Sequence, residues 1–234
     1  MKVSFFLVFF VILMGTSATT NTSIAVPCIF ETTYSLGYSC FILRLFVSSH
    51  DKTVSKITGA NTRNNSTLDV RYLKVDESVV LYLPSELGKF FPKIETFRIE
   101  HAKLREIHQK DLPFENLERF YAEGNDIQVL EKDLFKLTPK LKSISIKHNH
   151  LKHVDPNVFE HLSSLEFLSI TINPCLPQSS ISFRHTEQVI EEVKENCPPR
   201  DDGSSDWKSN DDEHFPCDDE DCGCGIFIFL NFIL

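Results

Sequence analysis

Three features that would place the chain in a common functional class are missing from its sequence. No uninterrupted apolar run reaches the roughly 20 residues that a membrane-spanning helix needs. No nucleophile elbow, zinc-protease motif, phosphate-binding loop or dinucleotide fingerprint occurs. Excess positive charge is also missing. Residues 198–234 hold ten acidic and two basic residues, and the rest of the chain is nearly neutral, with 23 acidic and 22 basic residues. These absences argue against a membrane span, a familiar catalytic site and a nucleic-acid partner.

Cysteine is absent from residues 41–174, so the seven cysteines lie toward the two ends of the chain. At the N-terminus a short basic start precedes apolar residues 3–14, which only Ser4 interrupts, and small residues follow at 15–18. This layout is typical of a signal peptide, here cleaved after Ala18. Together with the cysteines it predicts a secreted, extracellular protein in an oxidising compartment.

Three Asn-x-Ser/Thr triplets are candidates for N-linked glycosylation in a secreted chain. They begin at Asn21, Asn64 and Asn65. The last two overlap within a polar stretch, so we expect at most one of them to be modified.

The middle of the chain repeats with a spacing of 24 residues and one spacing of 23. The five units begin at Val70, Ile94, Leu117, Leu141 and Leu165. Apolar residues occupy the first, fourth and sixth positions of each unit. An amphipathic helix would also accept this spacing, but Gly124, Pro139 and Pro156 lie at junctions or turns where a continuous helix would break.

The pattern L-x-x-L-x-L-x-x-N-x-L-x-x-L resembles that of the extracellular leucine-rich repeat family, including short secreted insect proteins and the ectodomains of Toll-like receptors. The resemblance covers residues 70–173. It implies an α/β leucine-rich repeat solenoid, curved, with a parallel β-sheet on its concave face and disulfide-bonded caps. The convex side would be irregular or short helical. The expected strands are centred at residues 73–75, 97–99, 120–122, 144–146 and 168–170.

The asparagine of the family pattern is kept only in the later units. Asn125, Asn149 and Asn173 occupy its position, whereas Ser78 and Ala102 replace it in the first two units. The asparagine side chain can hydrogen-bond the backbone of the turn. We therefore expect looser turns in the first two units.

The remaining segments follow from the repeat and from the composition of the two ends. We expect a signal peptide at 1–18, an N-terminal cap at 19–69, five leucine-rich repeats at 70–173, a C-terminal cap at 174–197, an acidic disordered tail at 198–225 and a short apolar C-terminus at 226–234. Caps are needed because a solenoid otherwise exposes its core at each end.

Four cysteines lie within the expected caps. Cys28 and Cys40 bracket a short segment, and Cys175 and Cys197 enclose one that contains a helix over about 186–195. We predict disulfides Cys28–Cys40 and Cys175–Cys197, because either other connectivity would link opposite ends of the solenoid. The family's C-terminal cap usually has four cysteines, so the resemblance is partial there.

The tail leaves alternatives open. Cys217, Cys222 and Cys224 make the number of cysteines odd, which would allow a dimer through one tail cysteine. Residues 226–234 are apolar but too few to span a bilayer. They fit either a lipid-anchor signal, with small residues at 203–205 and a polar spacer, or a chance C-terminus. A lipid-anchored cell-surface module is therefore the alternative to a freely secreted protein.

The expected concave face carries the candidate binding site. The third, fifth, seventh and eighth positions of each unit would face solvent, which places a basic column beside an acidic one, with aromatic residues between them. The candidate ligand-binding residues are Tyr72, Lys74, Asp76, Arg98, Glu100, Arg119, Tyr121, Glu123, Lys147 and Phe167. Charged rims and aromatic anchors suit a protein or cell-surface macromolecule and need no cofactor. The alternative is a polar face that only keeps the sheet soluble.

His148, His150 and His153 form an H-x-H-x-x-H motif, which suggests a metal site because imidazoles are common zinc ligands. The repeat places them on a strand, beside the turn and on the return segment, so we predict no metal site. Ser145 lies near His148 on the expected sheet, but nothing buried is placed to orient the imidazole as a triad requires. We predict a non-catalytic binding protein, with immune or adhesive recognition implied by the family. A hydrolase or metal protein is the remote alternative.

Overall fold

The structure is a computed structural model that describes residues 22–60, 65–176 and 185–200. The chain divides into two units, Met1–Arg200 and Asp201–Leu234, and the second lies outside the described residues. Also outside them are the predicted signal peptide, Asn21 and Asn64 and, within the second unit, Cys217, Cys222, Cys224 and the apolar C-terminus. Within the described ranges, no helix has the length and apolar character needed to cross a membrane.

Short strands and turns follow one another along the described chain. The strands are β1 (Ser23–Thr33), β2 (Gly37–Leu43), β3 (Phe46–Val47), β4 (Thr53–Thr58), β5 (Tyr72–Asp76), β6 (Val79–Val80), β7 (Thr96–Ile99), β8 (Arg119–Tyr121), β9 (Val129–Leu130), β10 (Ser143–Ser145), β11 (His153–Val154) and β12 (Phe167–Ser169). The helices are α1 (Leu87–Phe90) and α2 (Thr186–Asn196), with 3-10 turns at Thr67–Asp69 and Gln109–Asp111.

Eight of these strands form one sheet in the order β12-β10-β8-β7-β5-β2-β1-β4. The five predicted repeat strands are β5, β7, β8, β10 and β12, and each pairs in parallel with the next. The fourth residues of the units align across the sheet in the order Leu73, Phe97, Phe120, Ile144 and Leu168. Because alternate residues point to opposite faces, this register buries the fourth positions together in one core. The predicted parallel sheet of the leucine-rich repeat fold is confirmed.

The N-terminal strands extend this sheet beyond the five predicted strands. β1 and β2 form an antiparallel hairpin, and β4 pairs in parallel with the other side of β1. The predicted disulfide Cys28–Cys40 is present and joins the two hairpin strands, with the Cα atoms 5.3 Å apart. β2 then pairs in parallel with β5, so the hairpin continues the repeat sheet instead of only covering its end.

β2 also follows the backbone template of the repeats. Cys40 aligns with Leu73, and Val47 in β3 aligns with Val80 in β6. The eighth position of every unit has a left-handed backbone with φ between 43° and 66°, at Arg44, Glu77, His101, Gly124, His148 and Ile172. Residues from Gly37 onward therefore form a sixth rung of the solenoid. The 24-residue spacing does not reveal this rung, because the rung begins at position 37 and the first predicted unit begins 33 residues later, at position 70.

The C-terminal cap closes the other end of the core. The predicted disulfide Cys175–Cys197 is present, with the Cα atoms 5.0 Å apart. Helix α2 agrees with the predicted helix, and its Val193 is buried in the common core. The Thr186 hydroxyl donates a hydrogen bond to the Glu166 carbonyl at 2.8 Å, which ties the start of α2 to the last repeat.

Phenylalanine rings fill the interior between the sheet and the convex side. Phe97, Phe114, Phe120 and Phe135 are fully buried. Their neighbouring ring centroids lie 5.7–6.1 Å apart, in tilted or edge-to-face contact. The contact between Phe97 and Phe120 packs the second unit directly on the third, and stability in such folds depends on contacts of this kind between neighbouring repeats.

Three buried asparagines link each later repeat to the one before it. The Asn125 Oδ1 accepts hydrogen bonds from the backbone N–H groups of Ala102 and Leu104, each at 3.0 Å. Asn149 and Asn173 repeat this contact one and two units later. In the first unit the Ser78 hydroxyl takes over, since its Oγ accepts from the Leu45 N–H at 3.0 Å. The first turn is thus held by a shorter polar side chain.

Candidate functional site

The predicted binding residues lie on the side of the strands opposite the core, which we call the concave face. Arg119 and Phe167 are exposed, and seven of the ten candidates are half-buried: Lys74, Asp76, Arg98, Glu100, Tyr121, Glu123 and Lys147. Tyr72 is only 7% exposed, because it is surrounded by neighbours on the same face. The strand alternation brings the candidate set onto one surface.

Aromatic and guanidinium groups form a row of contacts across four strands of this face. The Phe41 and Tyr72 ring centroids are 5.8 Å apart. The Arg98 Cζ lies 4.7 Å from the centroid of the Tyr121 ring, which is cation–π geometry. The Tyr121 hydroxyl is 3.4 Å from the Ser143 hydroxyl. A side-chain hydrogen bond joins Tyr72 to Arg98, and burial raises the pKa of Tyr72. We call Phe41, Tyr72, Arg98 and Tyr121 the aromatic row.

Phe41 belongs to the aromatic row but was not among the predicted site residues. It lies in β2, which the sequence placed in the N-terminal cap, and it aligns with Lys74 of β5. The signal that could have found it is the match of the Cys40 to Leu43 stretch to the strand template at an irregular spacing.

The charges of the concave face are paired with one another within single strands or between neighbouring ones. Lys74 pairs with Asp76, and the hydrogen bond from that ammonium lowers the pKa of the Asp76 carboxyl. The Arg98 guanidinium lies 2.6 Å from Glu100. The Lys147 ammonium lies 3.3 Å from Glu123. The basic and acidic columns therefore neutralise each other, and the face presents a mixed polar surface and not a field of one sign.

Two serines expected to face solvent are buried. Ser145 and Ser169, at the fifth position of their units, are 1% and 6% exposed. Their side chains are short, so they lie below the longer side chains of neighbouring positions. The Ser145 Oγ has no hydrogen-bond partner among the described residues. The expectation that every fifth position is open to solvent was wrong for these two.

The histidines of the H-x-H-x-x-H motif have separate surroundings. The His150 Nδ1 is 3.5 Å from the Asp126 carboxylate, while the His153 Nδ1 is 3.3 Å from the Pro198 carbonyl. His148 is exposed and has a left-handed backbone, whereas Ser145 beside it is buried. Across the part of the chain that the structure describes, no three His, Cys, Asp or Glu side chains are placed to hold a metal ion.

A polar cluster on the convex side was missed by the sequence analysis. The His108 Nε2 lies 3.4 Å from Glu106 and its Nδ1 lies 3.4 Å from Glu131. These two carboxylates, Glu106 first, raise the pKa of His108 to about 9. The His50 ring contacts both Glu106, at 3.5 Å, and the Tyr82 ring. Tyr82 and Glu106 are 24 residues apart, so aligning the polar residues of the repeats would have shown part of this cluster.

Comparison with known proteins agrees with the repeat fold. A family model described as leucine rich repeat matches residues 115–174. A search of curated proteins found no match. Among solved structures, the chain is similar to the LRIM1/APL1C complex (TM-score 0.45, 17% identity, 64% of this chain and 31% of that chain). It is also similar to the APL1 leucine-rich repeat domain (0.44, 17%, 64% and 43%) and to the Toll–Spatzle complex of Drosophila (0.42, 14%, 53% and 17%). The chain spans less than half the length of each of these chains.

Proposed function

We propose that this leucine-rich repeat protein is secreted and acts without catalysis, by binding a protein on its concave face. The observation that carries the proposal is the aromatic row, in which each of Phe41, Tyr72, Arg98 and Tyr121 contacts the next across four neighbouring strands. The signal-peptide layout of the N-terminus and the two disulfides support an extracellular location. Immune or adhesive recognition remains an expectation from the family resemblance.

The aromatic row has the chemistry of a binding anchor. Tyrosine and arginine are enriched among interface residues whose truncation weakens binding strongly. Arg98 is held from two sides, by the Glu100 carboxylate at 2.6 Å and by the Tyr121 ring. A side chain that is already fixed loses less conformational entropy when a partner binds. This arrangement favours recognition by a pre-formed surface.

The pairing of charges on the concave face limits the partner chemistry. Lys74, Arg98 and Lys147 each have a carboxylate partner on the same face. A polyanion would have to compete with those carboxylates for each cation. A partner with a mixed polar and aromatic surface fits better, and its affinity should depend only modestly on salt.

The test is capture of a partner from extracellular fluid by the full-length protein, with mass spectrometry to identify what is bound. The variant carries Arg98→Ala and Tyr121→Ala, which should lower affinity roughly thirtyfold if one anchor of about 2 kcal/mol is lost. Its melting temperature should change little, because partly exposed positions contribute about 0.5 kcal/mol.

The matched control carries Lys136→Ala and Glu160→Ala on the convex side, where both residues are exposed. It should capture the same partner as the unmodified protein. If the control abolishes capture while the Arg98 and Tyr121 variant retains it, the binding surface lies elsewhere and the concave face is only a solvated sheet.

A further inference from the structure

Two turns of the solenoid present basic and titratable side chains in the same pattern. In residues 101–105 exposed and buried residues alternate, with His101, Lys103 and Arg105 exposed. Residues 148–152 repeat this alternation two units later, with His148, His150 and Lys152 exposed. We call these six residues the basic rim: His101, Lys103, Arg105, His148, His150 and Lys152. They follow the repeat strands, on the side where the chain leaves the sheet.

Within the part of the chain that the structure describes, the three cations of the basic rim are not held in ion pairs, a feature that they share with Lys110, Lys132 and Lys140 elsewhere on the repeats. Among the described residues, Lys103, Arg105 and Lys152 have no ion-pair partner. On the side where the chain enters the strands, by contrast, Lys93 pairs with Asp69 at 3.0 Å and Lys142 with Glu118 at 2.9 Å. The rim therefore presents three cations that no carboxylate of the described residues neutralises, on two turns that repeat the same pattern.

The unit between the two basic turns forms a low strip. Buried and half-buried residues alternate along it, and the half-buried ones are Gly124, Asp126 and Gln128. Gly124 has no side chain, and a Cβ there would lie 2.3 Å from the His101 Nδ1, so the His101 ring lies directly against it. Asp126 is the acid on this strip, and its carboxylate is 3.5 Å from His150.

We propose that the basic rim binds an extended, acid-rich segment of a partner protein, as a second binding surface separate from the concave face. Neighbouring rungs of a solenoid lie about 4.8 Å apart. The two basic turns lie on either side of the low strip, so the distance between them is roughly 10 Å. Successive side chains of an extended chain point to opposite sides. A run of consecutive acids lying over the strip would send alternate carboxylates to the turn at 101–105 and the turn at 148–152.

The experiment titrates the full-length protein with a fluorescent peptide of about eight aspartates, using the matching asparagine peptide as the neutral probe. The rim variant carries Lys103→Gln, Arg105→Gln and Lys152→Gln. Three exposed charge contacts should together account for a loss of at least about tenfold in affinity. The control variant carries Lys56→Gln, Lys132→Gln and Lys194→Gln, which removes the same charge from exposed positions outside the rim. It should change affinity by less than about twofold.

Three other results would contradict the proposal. Equal losses in the rim and control variants would show that only net charge matters. Loss in the Arg98 and Tyr121 variant instead would assign the peptide to the concave face. Heparin binding at the rim without aspartate-peptide binding would overturn the choice of partner.

Discussion

The early and late repeats share one backbone but are held by different interactions. The late repeats, residues 117–176, carry the buried asparagines, whose side chains bind the backbone of the preceding unit. The early repeats, residues 37–116, have Ser78 and Ala102 at the equivalent positions. The family model matches residues 115–174, which is almost the late set alone. The same fold therefore extends well beyond the sequence that has the consensus pattern.

The early repeats replace the asparagine contacts with others. The Ser78 hydroxyl accepts the Leu45 N–H and donates to the Asp76 carbonyl at 2.7 Å. On the convex side, the His50 ring contacts Tyr82 and Glu106 and so links three successive turns. The register of the apolar positions therefore defines the solenoid, while the polar contacts at the turns can vary.

The largest effect should come from a charge placed in the core of the late repeats. Ile146 is fully buried, so Ile146→Asp should cost several kcal/mol and unfold neighbouring units together. Urea unfolding monitored by circular dichroism measures this. Ser143→Asp on the opposite face of the same strand is the control, because Ser143 is partly exposed. A locally confined loss, with early and late repeats unfolding separately, would contradict the shared core.

The disulfides should have the next largest effect, and they allow the two ends to be compared. Cys28–Cys40 closes 12 residues and Cys175–Cys197 closes 22. In the chain-entropy model each should stabilise by about 3 kcal/mol. Replacing either pair by alanine should lower the melting temperature to a similar extent. Peptide mapping without reduction should recover both linked pairs, and a link from either cap to a tail cysteine would contradict the account of the caps.

The sequence was sufficient to predict the parts of the fold that depend on apolar periodicity. The positions of Leu73, Phe97, Phe120, Ile144 and Leu168 predicted five strands and their register, because burial requires those side chains to share one face. It missed β2 as a repeat strand, since Cys40 serves there both as a core residue and as a disulfide partner. A cysteine in that position looks like part of a cap.

The candidate surface was harder to predict than the fold. The columns of the concave face follow from the repeat, but the sequence does not show which side chains contact one another. The burial of Ser145 and the contact of Arg98 with Tyr121 depend on the sizes of neighbouring side chains. The cluster around His108 depends on side chains from turns that are distant in sequence. Such contacts need the assembled solenoid.

Removing one turn side chain from each set of repeats should show how much each kind of turn contact stabilises the fold. Asn149 is buried, and its side chain accepts the Ile127 N–H at 3.1 Å and donates to the Ala122 carbonyl at 2.8 Å. Asn149→Ala leaves both backbone groups without a partner, so the loss should be about 2–3 kcal/mol. Ser78→Ala should cost about 1 kcal/mol, because the Ser78 hydroxyl makes two hydrogen bonds where the Asn149 side chain makes four. Urea titration of both variants measures the difference, and equal losses would remove the distinction between early and late turns.

The smallest effect should be a pH dependence located where the early repeats meet the late ones. The pKa of His108 is raised from 6.5 to about 9, first by Glu106 and then by Glu131. A group with a raised pKa stabilises the folded state fully below its unfolded value, and this contribution disappears as pH rises through the folded value. We expect the unmodified protein to lose about 1 kcal/mol more than a His108→Gln variant between pH 6.5 and pH 9.5, after allowing for solvent screening at the half-exposed Glu131. Amide hydrogen exchange should place this loss at the turns that contribute His108 and Glu131, where the early repeats meet the late ones. Parallel stability curves for the two proteins would show that the cluster contributes nothing to holding these turns together.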